Sequence, residues 1–228
     1  MNTSVKKLLN RLTASIKLKS GCILLLFVLL QLQSVAKASD DSTTVTVTWD
    51  MQSSELRDVL RLQDMEYFKV AFSDTSLRGK HFKLVSKEYR KGKLVKVRNL
   101  SADTGYPEAF AFGEADSIFQ FKFISHQPEK KLTHFLLQFD RVGLNPKYKS
   151  NKTDLYSLRD ATGSLGDPVR VPLNSSFPLF VYSLPYVDPK QPDLYQYCAL
   201  TQDAVPPSEW GSKYGVKHYI VFELEIAN

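Results

Sequence analysis

The chain has 228 residues, with 30 Lys and Arg against 24 Asp and Glu, a net charge of +6 that first suggests a polyanion partner. Six of the basic residues (Lys6, Lys7, Arg11, Lys17, Lys19 and Lys37) lie in residues 1–38, which hold no acid, so the remainder is neutral and nucleic acid is not an expected partner. At 43% hydrophobic and 24% charged, the composition excludes a wholly disordered chain and a multi-span membrane protein.

After the basic start, residues 22–35 (CILLLFVLLQLQSV) form an apolar run, and Ala36-Lys37-Ala38 offers small side chains at the minus-three and minus-one positions. This is the pattern of a secretory signal peptide cut after Ala38, leaving residues 39–228 as a single domain in the periplasm or at the cell exterior. The run is shorter than the ~20 apolar residues a spanning helix needs and is interrupted by Gln31 and Gln33, so no stable membrane span is expected after cleavage. Cys22 precedes the apolar run, whereas a lipidated Cys would follow it. Cleavage leaves Cys198 alone, so no intrachain disulfide can form and stability has to come from an apolar core. Cys198 reads as a small buried hydrophobe.

Along the domain, alternation with a period of two recurs. Val45, Val47 and Trp49 alternate with threonines; Phe68, Val70 and Phe72, then Phe119, Phe121 and Phe123, then Phe135, Leu137 and Phe139 follow the same rule. Phe180 and Tyr182 continue it, and His218, Ile220, Phe222, Leu224 and Ile226 end the chain on it. Alternation means that each strand buries one face, which predicts an all-β fold of antiparallel sheets: a two-sheet sandwich or jelly roll. Residues 53–63 (SSELRDVLRLQ) are the one short helix expected, with a Ser cap and Leu56, Val59 and Leu60 at helical spacing. The polar stretch 141–176 and the proline-rich stretch 185–207 read as long loops over the sheet edges.

Two hairpins can be placed in register. A Lys91-Gly92 turn pairs Tyr89 with Leu94, Lys87 with Lys96 and Val85 with Arg98. Phe82, Leu84, Ser86, Val95 and Val97 then face inward, and Lys83, Lys87, Lys96 and Arg98 form an outward basic ribbon. A loop at residues 129–131 places His126 opposite His134. Residues 80–98 carry eight basic residues and one acid, Glu88, and two readings apply. The ribbon is either a docking strip for an anionic ligand or an edge whose lysines prevent strand-to-strand aggregation.

No catalytic constellation stands out. Asp103-Thr104-Gly105 matches the core of aspartic proteases but has no second copy, and reads as a turn. Glu114 and Asp116 begin a Glu-x-Asp pattern of some jelly-roll glycosidases, but the third position is Phe119 rather than an acid. Glu223 and Glu225 share a face of the last strand and read as a solvated surface. The four histidines show no metal-ligand spacing, and no cofactor or metal is expected. Tyr182, Tyr186, Tyr195, Tyr197, Trp210 and Tyr214 lie in or beside the proline-rich loops. Of these, Tyr186, Tyr195, Trp210 and Tyr214 are the candidates for stacking on a sugar or a protein partner; the plainer alternative is that they plug the sandwich ends.

Residues 77–94 (LRGKHFKLVSKEYRKGKL) and 206–226 (PPSEWGSKYGVKHYIVFELEI), behind a signal peptide, resemble a group of uncharacterised secreted β-rich proteins from Gram-negative bacteria. The resemblance implies export and brings no active-site assignment. The expected function is that of an exported binding or adhesion module for a glycan or a surface protein. Two rivals stand beside it: a carboxylate-dependent glycan hydrolase, for example with Glu114 or Asp116, and a structural subunit of a surface assembly.

Overall fold

Strand alternation becomes two stacked antiparallel sheets in the computed structural model. It describes residues 42–49, 53–105, 107–113, 118–129, 131–151, 155–188, 190–191, 193–197, 200 and 205–227. The expected leader and cleavage site, Glu114, Asp116 and Cys198 lie outside the described residues.

The first sheet runs β10 (Val169–Pro172), β1 (Ser42–Thr48), β2 (Met65–Phe72), β5 (Phe119–Glu129), β6 (Leu132–Gln138), β7 (Gly143–Leu144), with β8 (Lys147–Lys149) also paired to β6. The second runs β4 (Lys93–Asn99), β3 (His81–Arg90), β14 (His218–Ala227), β11 (Ser176–Ser183), β9 (Ser157–Asp160). A small ribbon joins β12 (Tyr186–Val187) to β13 (Tyr195–Gln196). The strands form no closed barrel, and no helix among the described residues is long and apolar enough to cross a membrane. The C-terminal strand β14 lies between β3 and β11, so the second sheet is completed only when the end of the chain arrives.

Inward-facing side chains of the two sheets meet as aromatic pairs. Phe123 of β5 stands edge-on to Phe180 at 4.6 Å and to Phe222 at 4.8 Å, and Phe135 of β6 packs on Phe222 at 4.8 Å. Toward the other end, Phe82, Phe110, Phe112, Phe119 and Phe139 form a second knot of rings. Burial of a large apolar side chain stabilises by ~1.5–3 kcal/mol, so these rings supply much of the fold's driving force.

Several expectations need correction. Trp49 continues the alternation of Val45 and Val47, yet β1 ends at Thr48 and Trp49 is 54% exposed. The stretch 141–176 is not one loop: β7, β8, β9 and β10 all lie in it, each too short, at two to four residues, to show an alternating pattern. The expected helix forms as α1 (Ser54–Leu62), with the Ser53 hydroxyl accepting from the Leu56 N–H at 3.2 Å. Its apolar side nevertheless buries nothing: Leu56, Val59 and Leu62 are exposed. A second, one-turn helix, α2 (Trp210–Lys213), has no counterpart in the sequence reading.

Candidate functional site

The basic ribbon is divided by a bulge. Tyr89 pairs with Leu94 as expected, but the register shifts between Glu88 and Tyr89, so that Lys87 faces Val97, Glu88 faces Lys96 and Ser86 faces Arg98. Because a one-residue slip moves a side chain to the opposite face, Lys96 and Arg98 fall on the side of Ser86 and Glu88, away from Lys83 and Lys87. Val95 and Val97, expected inward, are exposed. The cations are also engaged: Lys87 pairs with Glu223 at 2.7 Å, Lys83 with Glu225 at 3.4 Å, and Arg98 with Asp103 at 3.3 Å. On the outer face Lys83 and Lys87 form a charge ladder with Glu225 and Glu223.

The aromatic loops mostly pack inward on the second sheet. Trp210 is buried, donates its indole N–H to the Val205 carbonyl at 2.9 Å and lies on Tyr219 at 5.4 Å, while Tyr219 stacks on Tyr89 at 4.8 Å. Tyr186 rests on Tyr214 at 5.2 Å, and Tyr197 lies under the Arg159 guanidinium at 4.9 Å. Together with Val181, Val216 and Val221 the rings form a second apolar cluster outside the sandwich. Of the four aromatic candidates only Tyr195 is exposed, at 54%. The hairpin tip is pressed into the same layer: Lys91 N–H donates to the Lys217 carbonyl at 2.8 Å, and Gly92, at φ +76°, touches Gly211 backbone to backbone.

A site arises where no motif announced one, at the end of the interlayer space where β2, β5, β9 and β14 meet. Along β2 the inward positions Phe72, Val70 and Phe68 are followed by Glu66, and along β5 Phe121 and Phe123 are followed by Ser125. Likewise β3 passes from Phe82 and Leu84 to Ser86 and Glu88, and β14 passes from Phe222 and Ile220 back to His218. Each strand thus turns polar on its inner face at the same end of the sandwich.

Glu66 is the center of one polar group. Its Oε1 accepts from the Ser157 hydroxyl at 2.5 Å, and its Oε2 accepts from Ser125 at 3.1 Å and from the Leu158 N–H at 2.5 Å. The carboxyl therefore joins β2 and β5 of one sheet to β9 of the other. Burial pushes its pKa above the usual carboxylate value, against the opposing pull of Ser157, the Leu158 N–H, the Arg159 charge and Ser125.

The second group is a chain of hydrogen bonds. His218 lies 3.1 Å from Glu88 through Nε2 and 2.5 Å from the Tyr156 hydroxyl through Nδ1. Assigning the Nε2 proton to the carboxylate leaves Nδ1 to accept from Tyr156, whose oxygen in turn accepts the Asn151 N–H at 3.1 Å. The hydrogen bond from His218 holds Glu88 below the usual carboxylate range, helped by Arg90, which reaches it at 2.7 Å. Burial pushes the Tyr156 phenol up to about 12. Tyr156 stacks in parallel on Tyr182 at 5.0 Å, and Thr133 donates to the Tyr182 oxygen at 3.2 Å.

Above these groups opens a cleft of about 440 Å³. Glu66, Ser125, Tyr156 and Tyr182 form its floor, Gln127 and Pro128 one side, and Arg61 and Asp64 the other, with Trp49 at the lip. The helix α1 positions that second side: its last turn carries Arg61, and Asp64 adopts φ +49° to turn the chain back into β2. A smaller hollow of about 290 Å³ lies at the other end of β5, beside Phe119, Phe139, Asp140 and Arg141.

His126 and His134 do pair across β5 and β6, through a bulge and a tighter turn than expected, but no group of three metal-ligating side chains exists among the described residues. Asp103 sits in a one-turn 3₁₀ segment closed by Gly105 at φ +72°, and is paired with Arg98. Sequence reasoning missed Glu66, Glu88 and Tyr156. The available signal was an acid at a core-facing parity on β2 and on β3, which alternation would have exposed had it been followed past the last apolar residue. No family model, no curated protein and no solved structure matches the chain.

Proposed function

We propose that the chain is an exported glycan-binding module whose binding site is the Trp49 cleft rather than the basic ribbon or the proline-rich loops. One observation carries the reading: a tryptophan ring, 54% exposed, stands at the lip of a cleft whose floor is polar and fixed by hydrogen bonds. A sugar ring has an apolar face ringed by hydroxyls, so it is recognised by a flat aromatic beside oriented polar groups. The floor is pre-organised, since both Glu66 oxygens are already held, and ligand binding orders little new structure. Binding of immobilised oligosaccharides by the exported protein tests the reading. Trp49→Ala is expected to lower affinity at least about tenfold, the scale of a lost aromatic contact, while Tyr195→Ala leaves it unchanged.

A second reading, a carboxylate-dependent glycan hydrolase, is favoured by Glu66 and Asp64 sharing the cleft, one with its proton affinity raised by burial. Release of reducing ends from a bound oligosaccharide, lost in Glu66→Gln, would establish it. Export itself is carried by the leader composition and is tested by N-terminal sequencing of the secreted protein, which is expected to begin at Ser39.

A further inference from the structure

We propose that the glycan taken by this cleft carries free amino groups: a cationic amino-sugar oligomer rather than a neutral or acidic one. The inference rests on the glycan-binding reading and adds the chemical class of the ligand. The reason is the charge along the wall, two carboxyls against one guanidinium, beside an exposed indole ring. Ser125 and Ser157 both give their hydroxyl protons to Glu66, and the Gln127 amide donates to Ser150 at 3.3 Å. The Tyr156 phenol is directed at His218. The two serine protons and the Tyr156 proton are therefore spent on the protein itself, whereas the Tyr182 hydroxyl accepts from Thr133 and keeps its own.

Toward the cavity the carboxyls of Asp64 and Glu66 and the exposed ring of Trp49 stand against one guanidinium, Arg61. An ammonium group brings three donors and no acceptor, which is the complement of such a wall. It also gains from the face of an indole, the strongest of the aromatic partners for a cation. A neutral sugar lacks the charge that the carboxyls and the indole face favour, and a uronate would meet two carboxyls.

The test compares three probes of equal length on the exported protein by calorimetry in 0.15 M salt: a β-1,4-glucosamine tetramer, its fully N-acetylated counterpart, and a uronate tetramer. The amine tetramer is expected to bind about tenfold or more tightly than the N-acetylated one, with no heat from the uronate. Asp64→Asn, at an exposed position that leaves the core untouched, is expected to narrow that preference, and Glu66→Gln to narrow it further. Equal or tighter binding of the N-acetylated tetramer overturns the amine inference while leaving the glycan reading in place. Absence of binding by all three tetramers, in protein whose melting transition is intact, overturns both.

Discussion

The two ends of the interlayer space are built from the same strands and behave as different materials. At one end Phe82, Phe110, Phe112, Phe119 and Phe139 fill the gap with rings alone; at the other Glu66, Ser125, Glu88, His218, Tyr156 and Thr133 fill it with paired polar groups. An apolar knot tolerates small adjustments, because dispersion and burial have no direction. A polar cluster at the same depth is stable only while every partner is present, since an orphaned buried group costs ~1–3 kcal/mol. The apolar end therefore stabilises, and the polar end holds side chains in fixed positions beneath an open cleft.

The largest effects are expected where that contrast is removed by mutation. Phe222→Ala takes away a fully buried ring shared by Phe123, Phe135 and Tyr148, and is expected to cost ~3–5 kcal/mol in denaturant unfolding. A loss below ~1 kcal/mol would mean that the sheets are not packed through these rings. Next, Gly211→Ala places a Cβ 2.1 Å from the Gly92 Cα, backbone against backbone, so the hairpin tip and α2 have to separate. A cost of ~1–3 kcal/mol is expected, with near-ultraviolet circular dichroism changing through Trp210 and Tyr219 while the main core keeps its signal. Smaller still is Lys87→Glu, which sets two acids against each other at Glu223 and is expected to lower stability by ~1 kcal/mol. Heparin binding is expected to change little with that substitution, since Lys87 is already engaged by Glu223.

The two buried carboxyls of the polar end separate by pH. Glu88, held low by His218 and Arg90, contributes stability that is present above its unfolded value, near 4.5, and is lost as acidification passes through its lower folded value. Glu66, raised by burial, works in the opposite sense: its contribution is complete below 4.5 and declines as pH rises toward its higher folded value. Melting temperatures across pH 3 to 8 are expected to show Glu88→Gln flattening the acid side and Glu66→Gln flattening the slope above 4.5. Identical profiles for both variants would contradict the assignment of opposite shifts.

The sandwich was legible because alternation survives in most of the long strands; β2, β5, β6 and β14 bury the residues their parity names, while β4 buries none. Strands of two to four residues carry too little pattern, which is why β7 to β10 read as loop. The ribbon was misjudged for a definite reason: an antiparallel register inferred from a turn cannot reveal a bulge, and one extra residue at Val95 reversed the faces of Lys96 and Arg98. Trp210 and Tyr214 were visible as aromatics, but whether a loop ring meets solvent or the back of a sheet depends on tertiary contacts. The cleft was invisible for a related reason. Trp49, Glu66 and Tyr156 are apart in sequence, and the pairing of β1 with β2, together with the Glu66 contact to β9, brings them together.

The chain has two tryptophans, one exposed at the cleft and one buried outside the sandwich, which permits a direct reading of where a ligand sits. Titrating the protein with amino-sugar oligomers while following intrinsic fluorescence is expected to give a saturable blue shift that persists in Trp210→Phe and disappears in Trp49→Phe. A shift that survives in Trp49→Phe, or no shift at saturating oligomer in folded protein, would contradict placement of the binding site at the polar end of the sandwich.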